Sequence, residues 1–142
     1  MATSCSHYFL ETIRGAERRG VDADGLLNAV GLTRAQISDP AWRGDVGGLA
    51  RLVQLLWFAL DDEFMGYVRR PAKPGTFALM TYFILGEPTC GAALGKGVLF
   101  YRLVADGLGM TFEVGDEEAE LSVAFAEPDR DPARYFTEFW LS

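Results

Sequence analysis

Residues 74–125 read PGTFALMTYFILGEPTCGAALGKGVLFYRLVADGLGMTFEVGDEEAELSVAF, and the periodicities inside this stretch decide the fold. Thr76 is placed to cap a helix FALMTYFIL that Gly86 ends. Thr89, directly after Pro88, is placed to cap a second helix, CGAALGKGVLFYRLVAD. In that helix Gly91 and Gly95 stand one turn apart, as do Ala93 and Gly97. A glycine inside a helix costs about 1 kcal/mol relative to alanine, so this spacing predicts close approach of another backbone, or of a ligand, along that surface. The period then changes from helical to alternating. Met110, Phe112 and Val114 alternate with Thr111 and Glu113, and Leu121, Val123 and Phe125 repeat the pattern beyond Gly115–Glu118. Two consecutive helices followed by a β-hairpin are the result.

Upstream, Ser4 or Ser6 is placed to cap a helix running to Arg19, with Phe9, Ile13 and Ala16 on one face and Gly20 at its end. Asp22 starts a short helix carrying Leu26, Leu27 and Val30, stopped by Gly31. GLTRAQISDP forms a single turn or short helix closed by Pro40. Asp45 opens a helix whose stripe is Leu49, Leu52, Val53, Leu56 and Leu60, widened by Leu55, Trp57 and Phe58. Asp61, Asp62 and Glu63 read as its solvated end, and EFMGYVRRPAKPG as a linker, because Pro71 and Pro74 interrupt any helix. Downstream, Asp129–Pro132 form a polar break before ARYFTEFWLS, an amphipathic helix with Tyr135, Phe136, Phe139 and Trp140. It stops with its apolar face barely developed, which predicts that the chain is a fragment of something longer. The expected class is α+β: one mostly helical domain over residues 1–142, with a small antiparallel β-hairpin or sheet packed on helices.

Composition narrows the function. A chain of 142 residues, 49% of them hydrophobic, fits a single domain with a sizeable core. Twenty acidic residues against 13 basic ones give a net charge of −7, which repels nucleic-acid phosphates on average. Cys5 and Cys90 are far apart and read as free thiols of a reducing compartment. The N-terminus has no secretory pattern, and the longest apolar runs, such as LVQLLWFAL, fall short of the roughly 20 residues of a membrane span. The expectation is a soluble cytoplasmic protein with no membrane association.

Motifs for catalysis and metal binding are scarce. Cys5 and His7 are a pair of soft ligands where zinc needs three or four, and His7 is the only histidine. Cys90 lacks a neighbouring base and reads as a small packing residue. Gly95-Lys96-Gly97 lacks the phosphate-loop spacing and lies inside a helix rather than before one. DADGLLNAVGLTRAQISDP has a helix-turn-helix outline, but its second helix is under two turns long and carries one cation, a poor reader of a major groove. No cofactor, metal or enzymatic activity is expected. The aromatic residues of the two central helices remain. Aromatics at helical spacing are ordinarily core, while small-molecule sites are also mostly apolar with a few placed polar groups. The candidate ligand-binding residues are therefore Phe77, Thr81, Tyr82, Phe100, Tyr101 and Arg102.

A longer pattern joins these pieces. Gly31, Leu32, Ile37, Asp39 and Pro40 form a GL…DP segment. A helix ending in acidic residues follows, then Pro74, Gly75, Phe77, Tyr82, Thr89, Ala92, Ala93 and Leu94, then YRL…DG at Tyr101–Gly107. Over about residues 24–125 the chain resembles the N-terminal effector domain of AraC-type transcription regulators, the branch with an arabinose-binding-like domain. Ala78 stands where that family usually has glycine, and Cys90 where leucine is common; both changes reshape a pocket rather than the fold. The resemblance implies a regulatory domain that senses an unspecified small molecule and shifts conformation or forms a homodimer in response. It also implies that DNA is contacted only through a C-terminal helix-turn-helix domain absent from this chain. The alternative is a ligand-free structural dimerisation module.

Overall fold

The computed structural model describes residues 2–141. The chain runs β1 (Thr3–Cys5), α1 (Ser6–Arg18), α2 (Ala23–Ala29), α3 (Arg34–Ser38), β2 (Arg43–Asp45) and α4 (Val46–Leu60). It continues with α5 (Thr76–Ile84), α6 (Cys90–Val104), β3 (Leu108–Val114), β4 (Ala119–Phe125), a 3-10 turn at Pro128–Arg130 and α7 (Tyr135–Leu141). Helices make up 53% of it, beside two small antiparallel sheets, so the fold is α+β as expected. The hairpin pairs Leu108 with Phe125 and Val114 with Ala119. The second sheet, β1 with β2, was not legible, because each of its strands has only three residues.

Several helix starts follow the sequence. Asp22 accepts the Gly25 N–H, Asp45 the Gly48 N–H and Thr89 the Ala92 N–H, while Thr33 and Gln36 form a reciprocal capping box on α3. Two caps differ. Neither Ser4 nor Ser6 caps α1; its N-cap is Cys5, without a side-chain bond, because residues 3–5 are held in β1. Thr76 does not cap α5 either, since its hydroxyl donates to the Lys73 carbonyl at 2.6 Å. Glu63 takes over, accepting the N–H groups of Gly75 at 2.6 Å and Phe77 at 2.8 Å.

The core is built from α1 to α4 and the segment between α4 and α5. Phe9, Ile13, Leu27, Ile37, Leu52 and Leu56 are buried, and so are Phe64, Met65, Tyr67, Val68 and Ala72. The residues read as a linker are thus core, and the acidic run before them is not a solvated end. Asp61 is exposed, but Asp62 is only 2% accessible. Its carboxylate accepts the N–H groups of Phe64, Gly66 and Ala72, each at 2.9 Å. One side chain therefore satisfies three backbone donors that no helix or strand serves. Asp61, Met65 and Gly66 have positive φ angles of 51°, 52° and 76°, a tight path that this carboxylate holds in place.

This segment also explains a close backbone approach. A side chain at Gly15 of α1 would collide with the Met65 carbonyl, so glycine is needed there. The glycines of α6 have a different cause from the one expected. Gly91 and Gly95 lie beneath the Phe112 ring of β3, and Gly97 lies beside the Met80 sulfur of α5. The small-residue face seats side chains rather than a backbone.

The last helix is anchored by Asp131, 7% accessible. Its carboxylate accepts the N–H groups of Phe136 and Thr137 and the Thr137 hydroxyl at 2.9–3.0 Å. Tyr135 and Phe136 enter the core. Phe136 stacks on Tyr67 with ring centroids 5.2 Å apart, and the Tyr135 hydroxyl lies 2.8 Å from Thr12 Oγ1.

Candidate ligand cleft

A cavity of about 600 Å³ lies between α1, α4 and α7. Tyr8 comes from α1, Leu49, Val53 and Trp57 from one face of α4, and Tyr135, Glu138 and Phe139 from α7. The i, i+4 spacing of Leu49, Val53 and Trp57 puts them on one side of their helix. The stripe that the sequence assigned to the core is therefore divided: Leu52 and Leu56 are fully buried, while Leu49, Val53 and Trp57 line the cleft. The Tyr8 hydroxyl donates to Glu138 Oε2 at 2.9 Å across the opening. That bond, and the carboxylate charge behind it, raise the Tyr8 pKa above its ordinary value. Burial raises Tyr135 to about 12, leaving its hydroxyl protonated.

Two smaller cavities adjoin it. One of about 280 Å³ shares Trp57 and Phe139 and adds Glu63, Phe77, Tyr101 and Trp140. The next, of about 180 Å³, shares Phe77, Tyr101 and Trp140 and reaches between α5 and α6 to Met80, Val98 and Met110. The indole N–H groups of Trp57 and Trp140 are buried and meet no acceptor among the described residues. Burial first, and Glu63 second, raise the Tyr101 pKa.

Of the six residues expected at a ligand site, Phe77 and Tyr101 line these cavities together. Thr81, Tyr82, Phe100 and Arg102 line none of the three. The Thr81 hydroxyl bonds back to the Phe77 carbonyl at 3.0 Å, and Tyr82 is 74% exposed. Phe100 packs against Phe83 and Tyr101, and Arg102 is exposed. The sequence reading did not place Tyr8 or Glu138 at a ligand site, and it assigned Leu49, Val53 and Trp57 of α4 to the core. No local signal marks them as a set, because their meeting depends on α7 returning to α1 across more than a hundred residues.

Residues 20–141 match the family described as the arabinose-binding domain of AraC transcription regulator, N-term. The chain belongs to that family. Neither the curated proteins nor the solved structures gave a significant match. This family is a ligand-sensing regulatory domain of transcription regulators, which agrees with a largely apolar cleft. No helix among the described residues is long and apolar enough to cross a membrane. The helix-turn-helix outline at α2 and α3 is engaged otherwise, since Arg34 pairs with Glu17 at 2.7 Å and Asp24 at 2.8 Å.

Proposed function

We propose that the chain is the effector-binding part of an AraC-type regulator, with the effector held in the cleft between α1, α4 and α7 and along Trp57 toward Phe77 and Tyr101. The carrying observation is a cleft of about 600 Å³ with a largely apolar lining, within the roughly 300–1,000 Å³ of small-molecule sites. α7 forms one wall of the cleft. An effector with higher affinity for one seating of α7 shifts the population toward it and changes how an attached DNA-binding domain is presented. The protein acts in the cytoplasm and has no enzymatic activity.

A thermal-shift screen with metabolites tests this. An effector at 100 times its dissociation constant adds about 2.7 kcal/mol of stability. Ala50→Trp, which fills the cleft, is expected to abolish that gain; an effector that binds this variant unchanged lies elsewhere.

A second reading, a dimerisation module without a ligand, is favoured by the outer face of α5 and α6. Leu79, Tyr82, Leu85 and Leu103 are 61–75% exposed there, and an apolar patch of this kind marks interaction surfaces. A dimer whose affinity ignores every metabolite in the screen supports this second reading over the first.

A further inference from the structure

Resting on the effector reading, the charges of the cleft narrow the chemical class of its ligand. Glu138 is the one charged side chain of the main lining. Its carboxylate accepts the Tyr8 hydroxyl, and among the described residues no lysine or arginine pairs with it. The adjoining cavity carries one charged group as well, Glu63, whose charge is offset by the two N–H groups at the start of α5. Neither cavity has a basic residue in its lining.

Aromatic side chains make up much of the remaining wall, namely Tyr8, Trp57, Tyr135 and Phe139. Aromatic faces carry negative charge density and attract cations, quaternary ammonium groups above all. An anion entering here loses hydration against a carboxylate and finds no compensating cation.

We propose that the cleft binds a lipophilic organic cation, an amine or quaternary onium group on an apolar body. Its charge lies against Glu138 and the rings of Tyr8 and Trp57, and its body against Leu49 and Val53.

The test uses two probes of nearly equal size and opposite charge, tetraphenylphosphonium and tetraphenylborate, titrated into the whole chain with tryptophan fluorescence and calorimetry as readouts. The phosphonium is expected to bind roughly tenfold or more tightly than the borate. Glu138→Gln, which keeps an acceptor for Tyr8, is expected to remove most of that preference without changing the melting temperature of the free protein. Glu138→Lys is expected to reverse it. Equal or tighter binding of the borate to the wild type overturns the proposal, as does a preference that Glu138→Gln leaves intact. If the borate binds and Ala50→Trp abolishes its binding, the effector cleft stands and only the cationic class fails. If neither probe binds up to millimolar concentration, the cationic class fails and the metabolite screen alone decides the effector reading.

Discussion

The segment from Asp61 to Ala72 and the helix pair α5–α6 are opposite in character. The first has no helix or strand, contains five charged side chains among twelve residues, and yet buries Phe64, Met65, Tyr67 and Val68 to 2% exposure or less. The second is regular and far more apolar, but leaves Phe77, Leu79, Tyr82, Leu85, Leu99 and Leu103 more than half exposed. Burial follows from whether the backbone of a segment can be satisfied where it packs, and from what lies opposite it, rather than from hydrophobicity alone. Asp62 provides that satisfaction for the irregular segment. The helix pair satisfies most of its own backbone and seats Phe112 and Met80 on its inner side, while its outer side stays exposed among the described residues.

Removing the Asp62 carboxylate breaks this contrast most severely. Asp62→Ala leaves three buried N–H groups without an acceptor, and at about 1–3 kcal/mol for each unpaired group, partly relieved by water, a loss of about 3–5 kcal/mol is expected in urea unfolding. Asp62→Asn keeps one carbonyl acceptor and should lose less. A loss below about 1 kcal/mol for the alanine variant would mean that the segment is held by its apolar side chains alone.

Alkaline pH sharpens the comparison through the tyrosines of the same core. Burial, the larger cause, raises the Tyr135 pKa from 10.0 to about 12, and it raises Tyr67 as well. The unfolded chain therefore ionises first. The stabilisation is complete below about pH 10 and is lost as the pH rises toward 12, at a slope of up to about 1.4 kcal/mol per pH unit for each tyrosine. Tyr135→Phe removes one such group along with its bond to Thr12. Its deficit relative to the wild type, measured by urea unfolding, should be about 1 kcal/mol at pH 8 and shrink at pH 11. A deficit that does not change with pH contradicts the buried hydroxyl.

The smallest effect on stability belongs to the outer helix face. Leu79→Glu and Leu103→Glu should each stay within about 0.5 kcal/mol of the wild type. If this face joins two copies of the chain, the same changes make it monomeric by sedimentation. A loss of several kcal/mol instead would show that these side chains are packed within the monomer.

The legible parts of the fold share a physical cause. The hairpin, the caps at Asp22, Asp45 and Thr89, and the stripe on α4 depend on neighbours within a few residues, so periodicity and capping chemistry reveal them. The Glu63 cap on α5, the Asp62 cluster and the β1–β2 ribbon could not be read, because each joins residues separated by loops of undetermined path. The same holds for the site. Phe77 and Tyr101 were found because their helices are consecutive and aromatic, whereas Tyr8 and Glu138 meet across the whole chain.

The sequence by itself determined the family pattern, the α+β class and most element boundaries, since these rest on local spacing of apolar, capping and turn residues. The tertiary structure decided which apolar residues are core and which are surface, and where a ligand-sized space lies. Both depend on the return of α7 onto α1 and α4, where Asp131 fixes the helix start and Tyr135 and Phe136 enter the core. Those contacts have no local signature, and they are what open the cleft beside Trp57.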